Sequence, residues 1–295
     1  MRIFLTGATG FIGSAIVPEL LQAGHQVIGV TRSDAGAEAL AAAGVEVYRG
    51  TLEDPEGLRD GAAEAEAVIH TAFDHDFSRF AENCEKDRRV IAALGQALAG
   101  SDRPLVITSG TGMGAPGHGQ LAVEDVFNPS HPNPRVATEL AGNALLEAGI
   151  NVSVMRLPQV HNTVKQGLIS PLIEIARQKG VSAYVGEGRN RFAAGHLLDV
   201  ARLYRLAVEK RQPGARYHAV GEEGVEVRAI AEALGRGLNL PAVSIAPEKA
   251  AEHFGWMAMF APMDLPASST LTQARLGWRP TGPTLIADLD AMRGN

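Results

Sequence analysis

Scarcity narrows the possibilities first. One cysteine, Cys84, in 295 residues excludes an intrachain disulfide framework and a cysteine-based zinc site, so a buried, inert thiol is expected. Basic residues form no block, and 27 Lys and Arg against 33 Asp and Glu leave a net charge of −6. The electrostatic footprint of a nucleic-acid binder is therefore missing. No apolar run approaches membrane-spanning length. A strand signal begins at Arg2, which leaves no room for a signal peptide, and a cytoplasmic setting is expected. Internal repeats and low-complexity linkers are absent as well.

What is present is a strand, Arg2 to Leu5, running into glycines at 7, 10 and 13 and then into apolar residues at helical spacing from Ser14 to Ala23. A second strand, His25 to Val30, follows at βαβ distance. This is the pattern that seats a dinucleotide pyrophosphate. The first glycine permits a tight turn, the second lets backbone amides approach the phosphates, and the third lets helix and strand pack closely at the positive end of the helix. Strand signals near 2–6, 25–31, 45–49, 66–71, 104–109 and 151–156 alternate with helix signals near 12–23, 35–43, 55–62, 77–99 and 134–148. The expected fold is α/β, a Rossmann-type doubly wound parallel sheet with a smaller C-terminal lobe. The division expected is a dinucleotide-binding domain over 1–160 and a substrate lobe over 161–295, with 191–222 packing back on the first. In that lobe, helices are expected near 166–179, 198–210 and 226–238, and strands at 181–185 and 216–220.

The segment Leu5-Thr-Gly-Ala-Thr-Gly-Phe-Ile-Gly13 resembles the signature of the extended short-chain dehydrogenase/reductases, which include nucleotide-sugar epimerases and dehydratases. Four further stretches resemble that family in the right order. They are Ile69-His-Thr-Ala-Phe73, Val106-Ile-Thr-Ser-Gly110, Val154-Met-Arg-Leu-Pro-Gln-Val160 and Ala194-Gly-His-Leu-Leu-Asp-Val200. The resemblance implies a nicotinamide dinucleotide held by Gly7, Thr9, Gly10, Phe11, Ile12 and Gly13, by Leu52 and Glu53 at the adenine edge, by Ala72 and Phe73, and by Leu157, Pro158 and Val160. The family's Tyr and Lys, four residues apart on one helix, are missing. Tyr48, Tyr184, Tyr204 and Tyr217 are followed at the fourth position by Leu52, Gly188, Val208 and Gly221. Alignment puts Arg135 in the tyrosine slot, Glu139 in the lysine slot and Asp87 at the usual helix-4 asparagine, as in atypical members of the superfamily.

At the end of the second strand, where NAD enzymes place an acid, the chain has Val30-Thr-Arg-Ser33. Arg32 offers a planar fork to a 2′-phosphate, with hydroxyls from Thr31 and Ser33, so NADP(H) is preferred over NAD(H). The plainer alternative is a solvated loop charge. For chemistry, the candidates are Ser109 and Thr111 at the end of the fifth strand, Arg135, Glu139 and His75. Ser109 would hydrogen-bond a substrate carbonyl or simply cap the strand. Arg135 and Glu139 would reach substrate and nicotinamide ribose, or pair with each other along the helix. Six histidines, His70, His75, His118, His131, His161 and His196, fall in segments expected to face the crevice. Their spacing matches no metal site, whereas His75 and His161 suit acid–base work. The apolar stretch Phe254 to Phe260 with Met263 reads as a pocket roof or as lobe core. The expected function is an NADP(H)-dependent oxidoreductase acting on a small carbonyl or alcohol, with a proton from water or a histidine. A sugar-nucleotide epimerase or dehydratase and a non-catalytic NADP(H)-binding redox sensor stand as alternatives. The expected partner is a small-molecule substrate, with a homodimer also open.

Overall fold

The computed structural model describes residues 1–292. Short runs of β-branched and aliphatic residues form the parallel strands β1 (Arg2–Thr6), β2 (Gln26–Thr31), β3 (Glu46–Arg49), β4 (Ala67–His70), β5 (Leu105–Gly110) and β6 (Val152–Leu157). Between them lie α1 (Gly13–Gln22), α2 (Asp34–Ala42), α3 (Pro55–Ala63), α4 (Phe80–Ala97) and α5 (Val136–Glu147). Local chemistry starts these helices where the fold needs them. The Ser33 hydroxyl accepts the Gly36 amide at 3.1 Å, and the Asp54 carboxylate accepts the Gly57 amide at 3.1 Å with Pro55 opening the helix.

The chain continues through β7 (Gln159–His161), α6 (Ile169–Lys179), β8 (Ser182–Val185), β9 (Arg191–His196), α7 (Leu197–Lys210) and β10 (Arg216–His218). It ends with β11 (Glu222–Glu226), α8 (Val227–Leu238), β12 (Ala242–Ile245), α9 (Ala250–Phe254), α10 (Thr270–Leu276) and α11 (Leu285–Asp290). The main sheet has seven parallel strands in the order β10-β6-β5-β4-β1-β2-β3. Such an order reverses between β1 and β4, and ligands of open α/β sheets bind in the crevice at that switch point.

Both faces of the sheet are covered. Ile16, Leu20, Leu40, Val200 and Tyr204 pack on one face, from α1, α2 and α7, while Leu58, Ile91, Leu94 and Leu145 pack on the other, from α3, α4 and α5. A third core, with Leu172, Phe192, Ile230 and Phe254, sits under the smaller sheets β11-β9-β7 and β12-β8. The seventh strand, β10, and the helix α7 on α1 bring the second half of the chain back onto the first.

The structure departs from the sequence expectation mainly in that second half. β7, β9, β11 and β12 carry little intrinsic strand signal. β9 is Arg-Phe-Ala-Ala-Gly-His, and its extended form is held by β7 on one side and β11 on the other. The helix expected near 77–99 is a short 3₁₀ turn, Phe77–Arg79, before α4 begins at Phe80.

The glycine turn between β1 and α1 leaves no room for side chains. Gly7 has φ +71°, and a Cβ there would lie 2.6 Å from the Thr71 hydroxyl; one on Gly13 would lie 2.0 Å from the Gly7 carbonyl oxygen. Gly13→Ala is therefore expected to push α1 off β1, lowering the thermal melting temperature by several degrees, about 1–3 kcal/mol of overpacking. An unchanged melting curve would contradict this reading of the turn.

Candidate functional site

The C-terminal ends of the parallel strands open onto a cleft of about 1770 Å³. Its far wall comes from α6 and from residues between Glu252 and Pro266. One end contains the glycine turn, where Gly10 donates to the Gly7 carbonyl and Ser14 to the Gly10 carbonyl, each at 2.9 Å. Among the described residues the amides of Phe11 and Ile12 donate to no protein acceptor, and no side chain caps α1. The helix start is thus free to take an anion.

Gly7, Thr9, Gly10, Phe11, Ile12, Gly13, Thr31, Arg32, Leu52, Glu53, Ala72, Phe73, Leu157, Pro158 and Val160 all line this one cleft. Arg32 is exposed and makes no ion pair among the described residues. Glu53, by contrast, is held by Lys86, whose ammonium also reaches Asp74 at 3.1 Å. Ser33 does not belong to the lining. Its hydroxyl is turned to the start of α2, because capping satisfies an otherwise unpaired helix amide.

At the other end, Ser109 and Thr111 sit where β5 runs out, both buried and both on the cleft. Ser109 is 4% exposed as a residue, and its buried hydroxyl oxygen has no hydrogen-bond partner among the described residues. A buried polar atom left in this state is rare and costly unless a ligand or an ordered water completes it. Beside it, Arg135 donates to the Thr108 carbonyl at 2.7 Å and to Asp87 Oδ2 at 3.0 Å, and its guanidinium lies over the Phe73 ring, 3.9 Å from the centroid. Asp87 in turn accepts from the Thr138 hydroxyl at 2.6 Å and lies 3.0 Å from His70 Nε2, while His70 Nδ1 is 2.7 Å from the Thr6 hydroxyl. Burial alone would raise the Asp87 carboxyl; Arg135, His70 and Thr138 outweigh it and hold its pKa below the usual carboxylate range.

Glu139 is not part of the cleft. It is fully buried behind the wall, bridged by both oxygens to Arg156 at 2.8 Å and accepting from Arg216 Nε at 2.9 Å. One turn of helix separates it from Arg135, yet each finds a nearer partner across the fold. Arg156 also donates to the Val123, Glu124 and Val126 carbonyls and meets His218 Nε2 at 3.2 Å, so it fastens the loop after β5 from behind. Burial would raise the Glu139 carboxyl, but the two guanidinium groups hold it down. His218 is lowered too, to about 3, by burial and by Arg156.

The histidines separate into two groups. His75, His118 and His131 line the cleft; His70, His161 and His196 do not. His161 is buried under the second half of the chain, with Nδ1 2.7 Å from Asp288, because β7 turns away from the sheet edge. His196 caps α7. His75 is on the cleft rim, where desolvation, with repulsion from Arg135 and Lys165, pushes its pKa below the ordinary histidine value. Among the described residues no group of His, Cys, Asp and Glu is arranged to hold a metal, and no helix is long and apolar enough to cross a membrane. Phe254, Trp256, Phe260 and Met263 line the cleft, whereas Met257 is buried in the lobe core. The Asp87, Thr138 and Arg156 contacts were not anticipated as a network; only the odd pairing of Arg135 and Asp87 at family polar positions hinted at it.

The fold is that of an α/β protein of the extended short-chain dehydrogenase/reductase type. Residues 3–220 match the NAD dependent epimerase/dehydratase family, and the chain belongs to that family. An uncharacterised protein of Schizosaccharomyces pombe is 47% identical to it over 290 residues, 98% of each chain. The 2-alkyl-3-oxoalkanoate reductase of Stenotrophomonas maltophilia is 30% identical over 229 residues, 73% of this chain and 67% of that protein. In fold, it superposes on the dTDP-glucose 4,6-dehydratase DesIV of Streptomyces venezuelae, solved with NAD bound, with a TM-score of 0.78, 19% identity and coverage of 99% and 95% of the two chains.

Glu139→Ala would leave Arg156 buried and unpaired, at an expected cost of about 3–5 kcal/mol in urea unfolding. The depressed Asp87 and Glu139 pKa values set the acid limb. Both contribute stability that is complete above their unfolded values, near 4, and is lost as pH falls through the lower folded values. Urea midpoints that do not decline below about pH 4, or an Ala variant as stable as the parent, would contradict this arrangement.

Proposed function

We propose that this protein is an NADP(H)-dependent oxidoreductase that interconverts a small carbonyl compound and its alcohol. The observation that carries the reading is the buried, unpartnered Ser109 hydroxyl beside a fixed guanidinium, at the far end of the cleft that begins with the glycine turn. The residues present fit a dinucleotide. A turn that admits no Cβ at Gly7 and Gly13, free amides at Phe11 and Ile12, and an unpaired Arg32 would hold the diphosphate and the adenosine 2′-phosphate. Bound there, NADPH supplies the hydride. The family's dinucleotide dependence and the similarity to a 3-oxoalkanoate reductase support the same reading.

In the reductive direction one hydride and one proton add across the C=O bond. Ser109 donates a hydrogen bond to the carbonyl oxygen, and Arg135 stabilises the negative charge that grows on that oxygen. Arginine stays protonated near neutrality and is a poor acid, so the proton comes from His75 on the rim. Thr111, two residues beyond Ser109, lines the same cleft.

Ser109→Ala is expected to lower kcat/KM for ketone reduction by roughly a hundredfold, the scale of losing one oxyanion donor. Arg32→Ala is expected to reduce the NADPH-to-NADH preference by about ten- to a hundredfold, the worth of a charge-assisted hydrogen bond. Because His75 must be protonated to donate, reductive kcat/KM should fall as pH rises through a pKa below about 6.5, and His75→Ala should remove that limb. Steady-state rates of NADPH oxidation over a panel of ketones and aldehydes check all three. A Ser109→Ala enzyme with undiminished rates would overturn the assignment.

A further inference from the structure

A path of ring contacts runs from the polar floor of the cleft to its outer lip. Arg135 lies on Phe73. Phe73 meets His75 edge-on at 5.4 Å, and His75 meets Phe77 at 6.2 Å between centroids. Phe77 is stacked on Trp256, 5.1 Å between centroids and 18° between planes, and Phe260 stands edge-on to both at 6.3 and 6.2 Å. Phe73, His75 and Phe77 come from the connection between β4 and α4, whereas Trp256 and Phe260 follow α9, so the contact bridges the two walls of the cleft. The molecule has only nine Phe, two Trp and four Tyr, and it concentrates its scarce rings here.

These rings are not all core. Trp256 is 50% exposed on the cleft, whereas Trp278 is 1% exposed with its indole N–H donated to the Asp199 carbonyl at 3.1 Å. A half-exposed indole in a cleft is apolar surface waiting for cover. The polar end of the same cleft is at Ser109, a buried residue whose hydroxyl lacks a partner. A ligand that completes both ends has a hydrogen-bond acceptor joined to a flat apolar body.

We propose that Phe77, Trp256 and Phe260 form the specificity-determining shelf of the cleft and select a carbonyl attached to a flat aromatic or conjugated ring system. This rests on the reading of the cleft as a carbonyl oxidoreductase site. The ring packs on the indole face that Phe77 leaves uncovered, while the carbonyl oxygen reaches Ser109.

Isothermal titration of the full chain with 2-acetylnaphthalene tests the shelf. Wild type should bind saturably; Trp256→Ala should weaken Kd at least about tenfold, as expected for an aromatic anchor, while Trp256→Phe largely restores it. Leu198→Ala, which removes an exposed apolar side chain outside the cleft, should leave Kd unchanged. If Trp256→Ala does not fold, intrinsic fluorescence decides: saturable quenching that disappears in Trp256→Phe, with buried Trp278 still emitting, supports the shelf. No saturable binding to wild type, or equal affinity in Trp256→Ala, overturns it. NADPH oxidation is read in parallel with the same ketone and with 2-butanone. Binding without any turnover overturns the oxidoreductase reading and leaves the shelf standing; equal kcat/KM for both ketones keeps that reading and overturns the shelf.

Discussion

The ion pair between buried Asp87 and the partly buried Arg135 is the constraint on which the reactive end of the cleft depends. Asp87 comes from the middle of α4, Arg135 from the residue before α5, and the pair is tied to β4 through His70 and to β5 through the Thr108 carbonyl. Taking two such charges out of water costs several kcal/mol per ion, which only near-ideal geometry and additional hydrogen bonds recover. Here the Thr138 hydroxyl shares Asp87 Oδ2 with Arg135, His70 Nε2 lies on the other oxygen, and the Phe73 face is under the guanidinium. The consequence is a cation that cannot swing and whose charge is already balanced. Such a floor suits a neutral carbonyl better than a diphosphate, since it stabilises charge that develops during reaction without attracting charge beforehand.

A second buried cluster supports the cleft from behind. Glu139 binds both Arg156 and Arg216, and Arg156 spends its remaining donors on carbonyls of the loop that follows β5. That loop supplies Met113, His118 and His131 to the cleft wall, so a carboxylate remote from substrate still shapes the site. Two polar positions on one helix, four residues apart, thus serve opposite sides of the same wall. Arg135 faces the ligand space and Glu139 the protein interior.

Much of this was legible in the order of residues. The alternation from β1 to β6 came through to within three residues because each strand is a short β-branched or aliphatic run covered on both faces, and the helices between them match their apolar spacing. The glycine turn was readable because Gly7 and Gly13 meet steric limits that any side chain would violate. The smaller sheets were not, since β9 is extended between β7 and β11, and β11 only through its pairing with β9. Glu139 was misplaced for a related reason: spacing along a helix shows that two side chains can meet, but not that Arg156 from β6 and Arg216 from β10 come nearer. His161 was misread as a cleft residue because sequence order showed where β6 ends and not that β7 turns inward to Asp288. The same limit applied to Ser33, whose hydroxyl is taken up by the start of α2.

The most direct test is a crystal structure of the protein soaked with NADPH. The diphosphate should lie on the Phe11 and Ile12 amides, the adenosine 2′-phosphate within hydrogen-bond distance of Arg32, and the nicotinamide between Phe73 and Ser109. A dinucleotide bound in the reverse direction, or no bound cofactor at saturating concentration, would contradict the assignment of this cleft.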